Sequence, residues 1–199
     1  MNDHQIKWNN RWRERSGEDF IADSWLLEMV DLLPTGYVLD LACGRGRNSL
    51  ELARQGRAVT AIDFSEEALS QLAEVAQAEG LAIDCQRCDL EVQPPVLTFD
   101  YDLVLCFFYL HRPLLPWLLK AVKPGGVAML RIFSRAGNFP AGELDSRFVL
   151  EPGELLQIFS GWEILRHEEG IEPSRKGGSL ASILARKPLT QPPSSKGTQ

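Results

Sequence analysis

The segment Val38–Ala53 constrains this chain more than any other. Its residues, VLDLACGRGRNSLELA, pass from a short apolar run through Gly44-x-Gly46 straight into a helical pattern. Glycines at such a turn let the backbone approach a ligand closely, and the following helix presents unpaired N–H groups in its first turn. The next apolar run, Ala58–Ile62, is closed by Asp63, 19 residues after Gly44. A carboxylate there can accept both ribose hydroxyls of a nucleoside. The third glycine of the dinucleotide fingerprint is missing, and Ser49 stands in its place. The same residues also fit a tight turn and helix cap in an α/β protein that binds no nucleotide.

The rest of the chain repeats the strand–helix alternation. Upstream, Ile6, Trp8 and Trp12 mark one helix, and Phe20 to Leu33 carries apolar residues at helical spacing up to Pro34-Thr35-Gly36. Downstream, Ser65 reads as the N-cap of a helix running to Gly80, with Glu66 and Glu67 in its first turn. Strands are expected at Leu81–Cys88, Tyr101–Phe107, Val127–Phe133, Trp162–His167 and Leu180–Ala185, and helices at Pro113–Val122 and Glu151–Phe159. Such alternation makes an α/β fold, Rossmann-like and doubly wound, with a mostly parallel sheet of seven strands. Ligands of these sheets bind beyond the carboxyl ends of the strands. The chemistry is therefore expected after Ala42, Ile62, Cys88 and Phe107.

Composition narrows the class. A chain of 199 residues, 44% hydrophobic and 24% charged, suits one globular domain. We divide it into N-terminal helices over 1–34, a ligand-binding domain over 35–186 and a disordered tail over 187–199. The net charge of −6 argues against a protein that coats nucleic acid or an anionic membrane. The longest apolar stretch, Leu103–Leu110, falls far short of the ~20 residues a membrane span needs. The polar N-terminus lacks a signal-peptide core, so the expected location is the cytoplasm, with Cys43, Cys85, Cys88 and Cys106 as reduced thiols. Cys85-x-x-Cys88 has no second pair, and no metal is expected.

Asp40 discriminates between nucleosides. A dinucleotide places pyrophosphate at the helix N-terminus, where a nearby carboxylate would oppose it. S-adenosylmethionine instead carries an ammonium, a sulfonium and ribose hydroxyls without phosphate, which fits carboxylates at Asp40 and Asp63. The motifs DLACGRGRNSLELA, AIDFSEEAL, CDLEV and FDYDLVLCFFYLHRP…LKAVKPGGVAMLRIF resemble those of class I S-adenosylmethionine-dependent methyltransferases. They are most similar to the small bacterial branch that includes tellurite-resistance and thiopurine-type enzymes. The resemblance runs from about Gly36 to Phe133, and more weakly to the last strands. It implies that the final strand is antiparallel and that S-adenosylmethionine is the cofactor, with S-adenosylhomocysteine as product. It further implies that Asp40, Ala42, Cys43, Gly44, Gly46 and Asn48 line the methionine part, and that Asp63 takes the ribose. Phe64, Cys88, Asp89 and Leu90 would border the adenine, and Cys106 and Phe107 would pass beneath the sulfonium.

Two departures from that family stand out. Cys106-Phe107-Phe108-Tyr109 replaces the Asn/Asp-Pro-Pro-aromatic signature with which nucleic-acid amino methyltransferases hold a planar amine. The fifth strand ends in Arg131-Ile132-Phe133, where an acidic ending is expected. For the acceptor, His111 is either a general base or a cap and pocket-lining residue, and Tyr109 is equally two-sided. Trp8, a candidate acceptor contact, lies on a helix that either packs on the core or folds over the cofactor. The long connector Ser134–Val149 carries Arg135, Phe139 and Arg147 as candidate acceptor contacts. With no room for a separate recognition domain, the expected acceptor is a small molecule such as a thiol or chalcogen oxyanion. The expected assembly is a monomer or homodimer, without nucleic-acid or membrane partners. The competing readings are a non-catalytic S-adenosylmethionine-binding regulator and an NAD-dependent oxidoreductase.

Overall fold

The structure, a computed structural model, describes residues 3–96, 100–139, 145–174 and 178–189. The chain runs through α1 (Asp3–Glu14), α2 (Ser24–Met29), β1 (Tyr37–Leu41), α3 (Arg47–Arg54), β2 (Ala58–Asp63), α4 (Glu66–Glu79), β3 (Ile83–Arg87), β4 (Tyr101–Phe107), α5 (Leu115–Ala121), β5 (Val122–Ser134), α6 (Glu154–Ile158), β6 (Glu163–Pro173) and β7 (Ser179–Arg186). The strands form one sheet in the order β3-β2-β1-β4-β5-β7-β6. Only β7 runs against the others, pairing antiparallel with both β5 and β6. The doubly wound topology follows from β1, whose neighbours β2 and β4 both pair with it in parallel.

Alternation along each strand feeds two cores. On one face Leu39, Leu41, Val104, Cys106, Leu130 and Ile132 pack beneath α5 and α6. On the other, Val38, Leu103, Leu105, Phe107, Val127 and Met129 pack against α2, α3 and α4. Strand geometry sends every second side chain to the same face. Asp40 therefore shares its face with Val38, and Arg131 and Phe133 share theirs with Met129. Register then lines up the carboxyl ends: Leu41 stands beside Ile62 and Cys106, and Phe107 stands beside Arg131.

The sequence placed all seven strands, and the differences lie at boundaries. The second N-terminal helix is shorter than its periodicity suggests. Asp23 caps it, its carboxylate accepting from the Trp25 N–H at 3.1 Å. β5 begins at Val122, five residues early, because Val122 pairs with Tyr101 before the register shifts. Gly126 permits that irregularity: a Cβ there would lie 3.0 Å from the carbonyl oxygens of Tyr101, Asp102 and Lys123. β6 extends to Pro173, since β7 offers it a pairing edge that local sequence does not reveal. Most of the expected tail, residues 190–199, lies outside the described residues, as do 140–144 of the connector.

Candidate cofactor and acceptor site

The turn after β1 is built by three left-handed residues, Ala42 (φ 53°), Gly44 (φ 57°) and Gly46 (φ 71°). Cys43 N–H donates to the Ile62 carbonyl at 3.0 Å, and Gly46 N–H donates to the Cys43 carbonyl at 3.0 Å. Asp63 closes the turn from the neighbouring strand. Its carboxylate accepts from Gly44 N–H at 2.7 Å and from Ser65 N–H at 2.8 Å. Burial pushes the Asp63 carboxyl up, and these backbone donors pull it back. The two carboxylates predicted for the ligand thus frame one turn.

Asp40 lies directly behind it, 2% exposed, and accepts from the Ser49 hydroxyl at 2.6 Å. Burial pushes its carboxyl up to about 7; Ser49 opposes the shift and Asp63 adds to it. Ser49, in place of the missing glycine, is thus a partner to Asp40. Both cations of the turn are engaged elsewhere. Arg45 donates to the carbonyls of Arg15 (2.5 Å) and Ser16 (3.1 Å) and lies over Phe20, and Arg47 pairs with Asp23 at 2.9 Å. A buried carboxylate behind such a turn disfavours pyrophosphate and suits a cationic ligand.

Helix α1 covers the turn. A Cβ on Gly44 would lie 2.8 Å from Cζ2 of Trp12, so that indole rests on the glycine itself. Asn9 accepts from the Ser65 hydroxyl at 2.7 Å, the Trp12 carbonyl accepts from Gln71 at 3.2 Å, and Arg13 pairs with Glu67 at 3.2 Å. Trp8 stacks on Trp12 with ring centroids 6.2 Å apart, and Arg11 lies over Trp8. Arg45 ties the segment after α1 to the turn. Sequence reasoning passed over Arg45, and only its position between two glycines hinted at a role.

A cleft of about 180 Å³ beside Asp63 is lined by Gln5, Phe64, Arg87, Cys88 and Asp89. It brings together three of the four residues predicted to border adenine, while Leu90 is buried in the core. Asp89 accepts from the Glu91 N–H at 3.1 Å, holding its loop. Burial pushes the Cys88, Cys85 and Cys106 thiols up, as it does Cys43. Cys106 donates to the Tyr109 carbonyl at 3.5 Å. The Tyr109 hydroxyl is buried with no partner among the described residues, and burial together with Glu91, Asp89 and Asp63 pushes it up. Burying an unpartnered hydroxyl is unfavourable. The hydroxyl thus stands unpaired among the described residues, under the influence of Glu91, Asp89 and Asp63.

His111 lies elsewhere. Together with Glu91, Leu110, Arg112, Pro113, Arg147 and Phe148 it lines a second cleft, of about 300 Å³. Arg112 anchors that wall through a bidentate pair with Glu154 and a 2.9 Å hydrogen bond to the Val149 carbonyl. The structure brings His111 and Arg147 together, and leaves Arg135 apart, paired with Glu151 at 3.2 Å. Arg147 pairs with its near neighbour Asp145 at 2.6 Å, and Phe139 is half-buried at the edge of the undescribed connector. Asn48 lies by the turn, accepting from the Asp23 N–H at 2.9 Å. A further cluster, Asp23 with Arg47, Arg131 and Glu172, was unforeseen, although Arg131 interrupts an apolar strand.

A seven-stranded sheet in this order, with a reversed last strand and a nucleoside-type turn after β1, defines the Rossmann-like fold of class I methyltransferases. The chain belongs to the family of the tellurite resistance protein TehB, which residues 14–179 match. It is 29% identical over 175 residues to a Haemophilus influenzae protein named probable S-adenosyl-L-methionine-dependent methyltransferase TehB, covering 81% of this chain and 61% of that one. The crystal structure of TehB from Haemophilus influenzae superposes with a TM-score of 0.73 at 25% identity, covering 83% of this chain and 62% of that one. Hemagglutinin 1 of Eikenella corrodens is 27% identical over 155 residues, 74% of this chain and 51% of that protein. The chain thus spans between half and about three fifths of these curated relatives' length.

Proposed function

We propose that this chain is an S-adenosylmethionine-dependent methyltransferase acting on a small-molecule nucleophile. The observation that carries the reading is Asp40, buried behind a glycine turn whose own arginines are committed elsewhere. Family membership and the name of the Haemophilus influenzae relative support it. Asp63 takes the ribose hydroxyls while keeping the turn closed, Phe64, Cys88 and Asp89 border the adenine with Leu90 packed in the core behind them, and Asp40 faces the cationic end. Ala42, Cys43, Gly44, Gly46 and Asn48 line the methionine part, with Cys106 and Phe107 beneath the sulfur. The bound cofactor supplies an electrophilic methyl on a sulfonium, transferred in line to the acceptor. Alignment and exclusion of water supply much of such an acceleration. Helix α1, lying over Gly44 through Trp12, is the element that excludes water.

The acceptor is a thiol, a chalcogen oxyanion or a similar nucleophile that needs no strong base. Tyr109 sits on the cofactor side and orients rather than deprotonates, since burial keeps its hydroxyl protonated. His111 serves a protic acceptor that enters through the larger cleft, with Arg147 beside it. The reading includes a cytoplasmic location and a monomer or homodimer; no helix among the described residues is long and apolar enough to cross a membrane. Calorimetry with S-adenosylmethionine, S-adenosylhomocysteine and NAD tests the site: binding of the first two and not the third is expected, and the reverse refutes it. Methyl-labelled cofactor offered with thiols, selenite, phenols and amines then separates an enzyme from a regulator that only binds.

A further inference from the structure

Three arginines among the described residues are at least nine-tenths buried, and one of them is unlike the others. Arg45 and Arg57 spend their guanidiniums mainly on backbone carbonyls, those of Arg15, Ser16, Leu33 and Pro34, where they tie segments together. Arg131, 5% exposed, is held by two carboxylates: Asp23 at 2.6 Å and Glu172. Its Nε is buried with no partner among the described residues. Asp23 is itself buried and shared, since it also pairs with Arg47 and caps α2. Glu172 is different, with its side chain 45% exposed at the end of β6. Of the two carboxylates it alone can leave for water without breaking the core.

The cluster's charges balance only while Glu172 is present. Two guanidiniums face two carboxylates, and departure of Glu172 leaves the buried Arg131 with Asp23 alone, a carboxylate it must share with the partly exposed Arg47. That state is strongly unfavourable unless another anion takes the place of Glu172. The place also has an apolar floor. Phe108 adopts φ 58° immediately after β4, its ring lies 5.8 Å from that of Phe133, and the Arg47 guanidinium lies over it at 5.5 Å. Phe108 N–H donates to the Arg131 carbonyl at 2.7 Å, fixing floor and charge together at the carboxyl end of the sheet.

We propose that Arg131, with Arg47, forms a carboxylate-recognising subsite for the methyl acceptor, held in the resting chain by Glu172. The acceptor is then an anion on a planar apolar body that displaces Glu172 and stacks toward Phe108 and Phe133. This rests on the methyltransferase reading above, deepening it from a small nucleophile to an aromatic or conjugated anion.

The test uses the full chain saturated with S-adenosylhomocysteine and two matched probes, 2-mercaptobenzoate and benzenethiol at a pH that keeps the latter neutral. Calorimetry of the unaltered protein is expected to favour the carboxylate about tenfold or more, the scale of a charge-assisted hydrogen bond. Arg131→Gln is expected to abolish the preference, and Glu172→Gln to widen it by removing the competing carboxylate. Equal binding of the two probes by the unaltered protein overturns the proposal, as does a preference that survives Arg131→Gln. Should Arg131→Gln fail to fold, Glu172→Gln decides: an unchanged ratio overturns the displacement. These are binding measurements, so they stand apart from turnover. Loss of S-adenosylhomocysteine binding by the unaltered chain, by contrast, refutes the cofactor reading itself.

Discussion

Replacing Asp40 with asparagine should make the stability of the ligand-free chain less dependent on pH, in a calculable direction. Asp40 is 2% exposed and its carboxyl is pushed up to about 7, against an ordinary value of 3.8. A carboxyl raised in the folded state favours folding while protonated. Its contribution is fully present below the unfolded value and is lost as pH rises toward 7, levelling off above. The shift of about three pH units corresponds to roughly 4 kcal/mol, of which about 2 to 3 kcal/mol falls between pH ~5 and ~8. The side-chain amide of the Asp40→Asn variant keeps an acceptor for the Ser49 hydroxyl and never ionises, so subtracting the two stabilities isolates this one group. Urea unfolding of both proteins across that range supplies the measurement. The unaltered chain should lose about 2 to 3 kcal/mol relative to the variant as pH rises. Saturating S-adenosylhomocysteine, whose ammonium rewards the ionised carboxylate, should flatten the loss. A stability difference that stays constant with pH, or that grows in favour of the unaltered chain, refutes the reasoning.

Asp63→Ala removes the acceptor of two backbone N–H groups and the proposed ribose contact, and should weaken S-adenosylhomocysteine binding by about 1 to 3 kcal/mol. Unchanged affinity by calorimetry would place the nucleoside elsewhere. Gly44→Ala puts a methyl against the Trp12 indole at a left-handed backbone position, so α1 should lift. Faster hydrogen exchange over Asp3–Glu14 checks this, and unchanged protection contradicts the docking of α1. Tyr109→Phe deletes a buried hydroxyl without a partner among the described residues and should leave ligand-free stability equal or up to ~1 kcal/mol higher, while slowing methyl transfer. A clear loss of ligand-free stability would show that the hydroxyl is already satisfied.

The sequence alone carried much of this. Strand-turn-helix patterning around Gly44 and Gly46, with Asp63 closing the next strand, located the turn because glycine's left-handed freedom and a strand-end carboxylate are local properties. The seven expected strand segments became seven strands, since apolar and β-prone patterning is written residue by residue. Asp40 and Ser49 were legible as residues, though not as a hydrogen-bonded pair. The direction of the last strand came from family resemblance. Register, burial and charge compensation were settled only in three dimensions. Periodicity overextended the second helix because Asp23 is drawn to Arg131, 108 residues away, and caps α2 instead of continuing a helix. The departures at Phe108 and Arg131 were visible as odd residues, but no local rule says that they meet Asp23, Arg47 and Glu172. Burial decides which charges must be compensated, and burial is a property of the packed sheet: it separates a surface arginine from one that holds an anion.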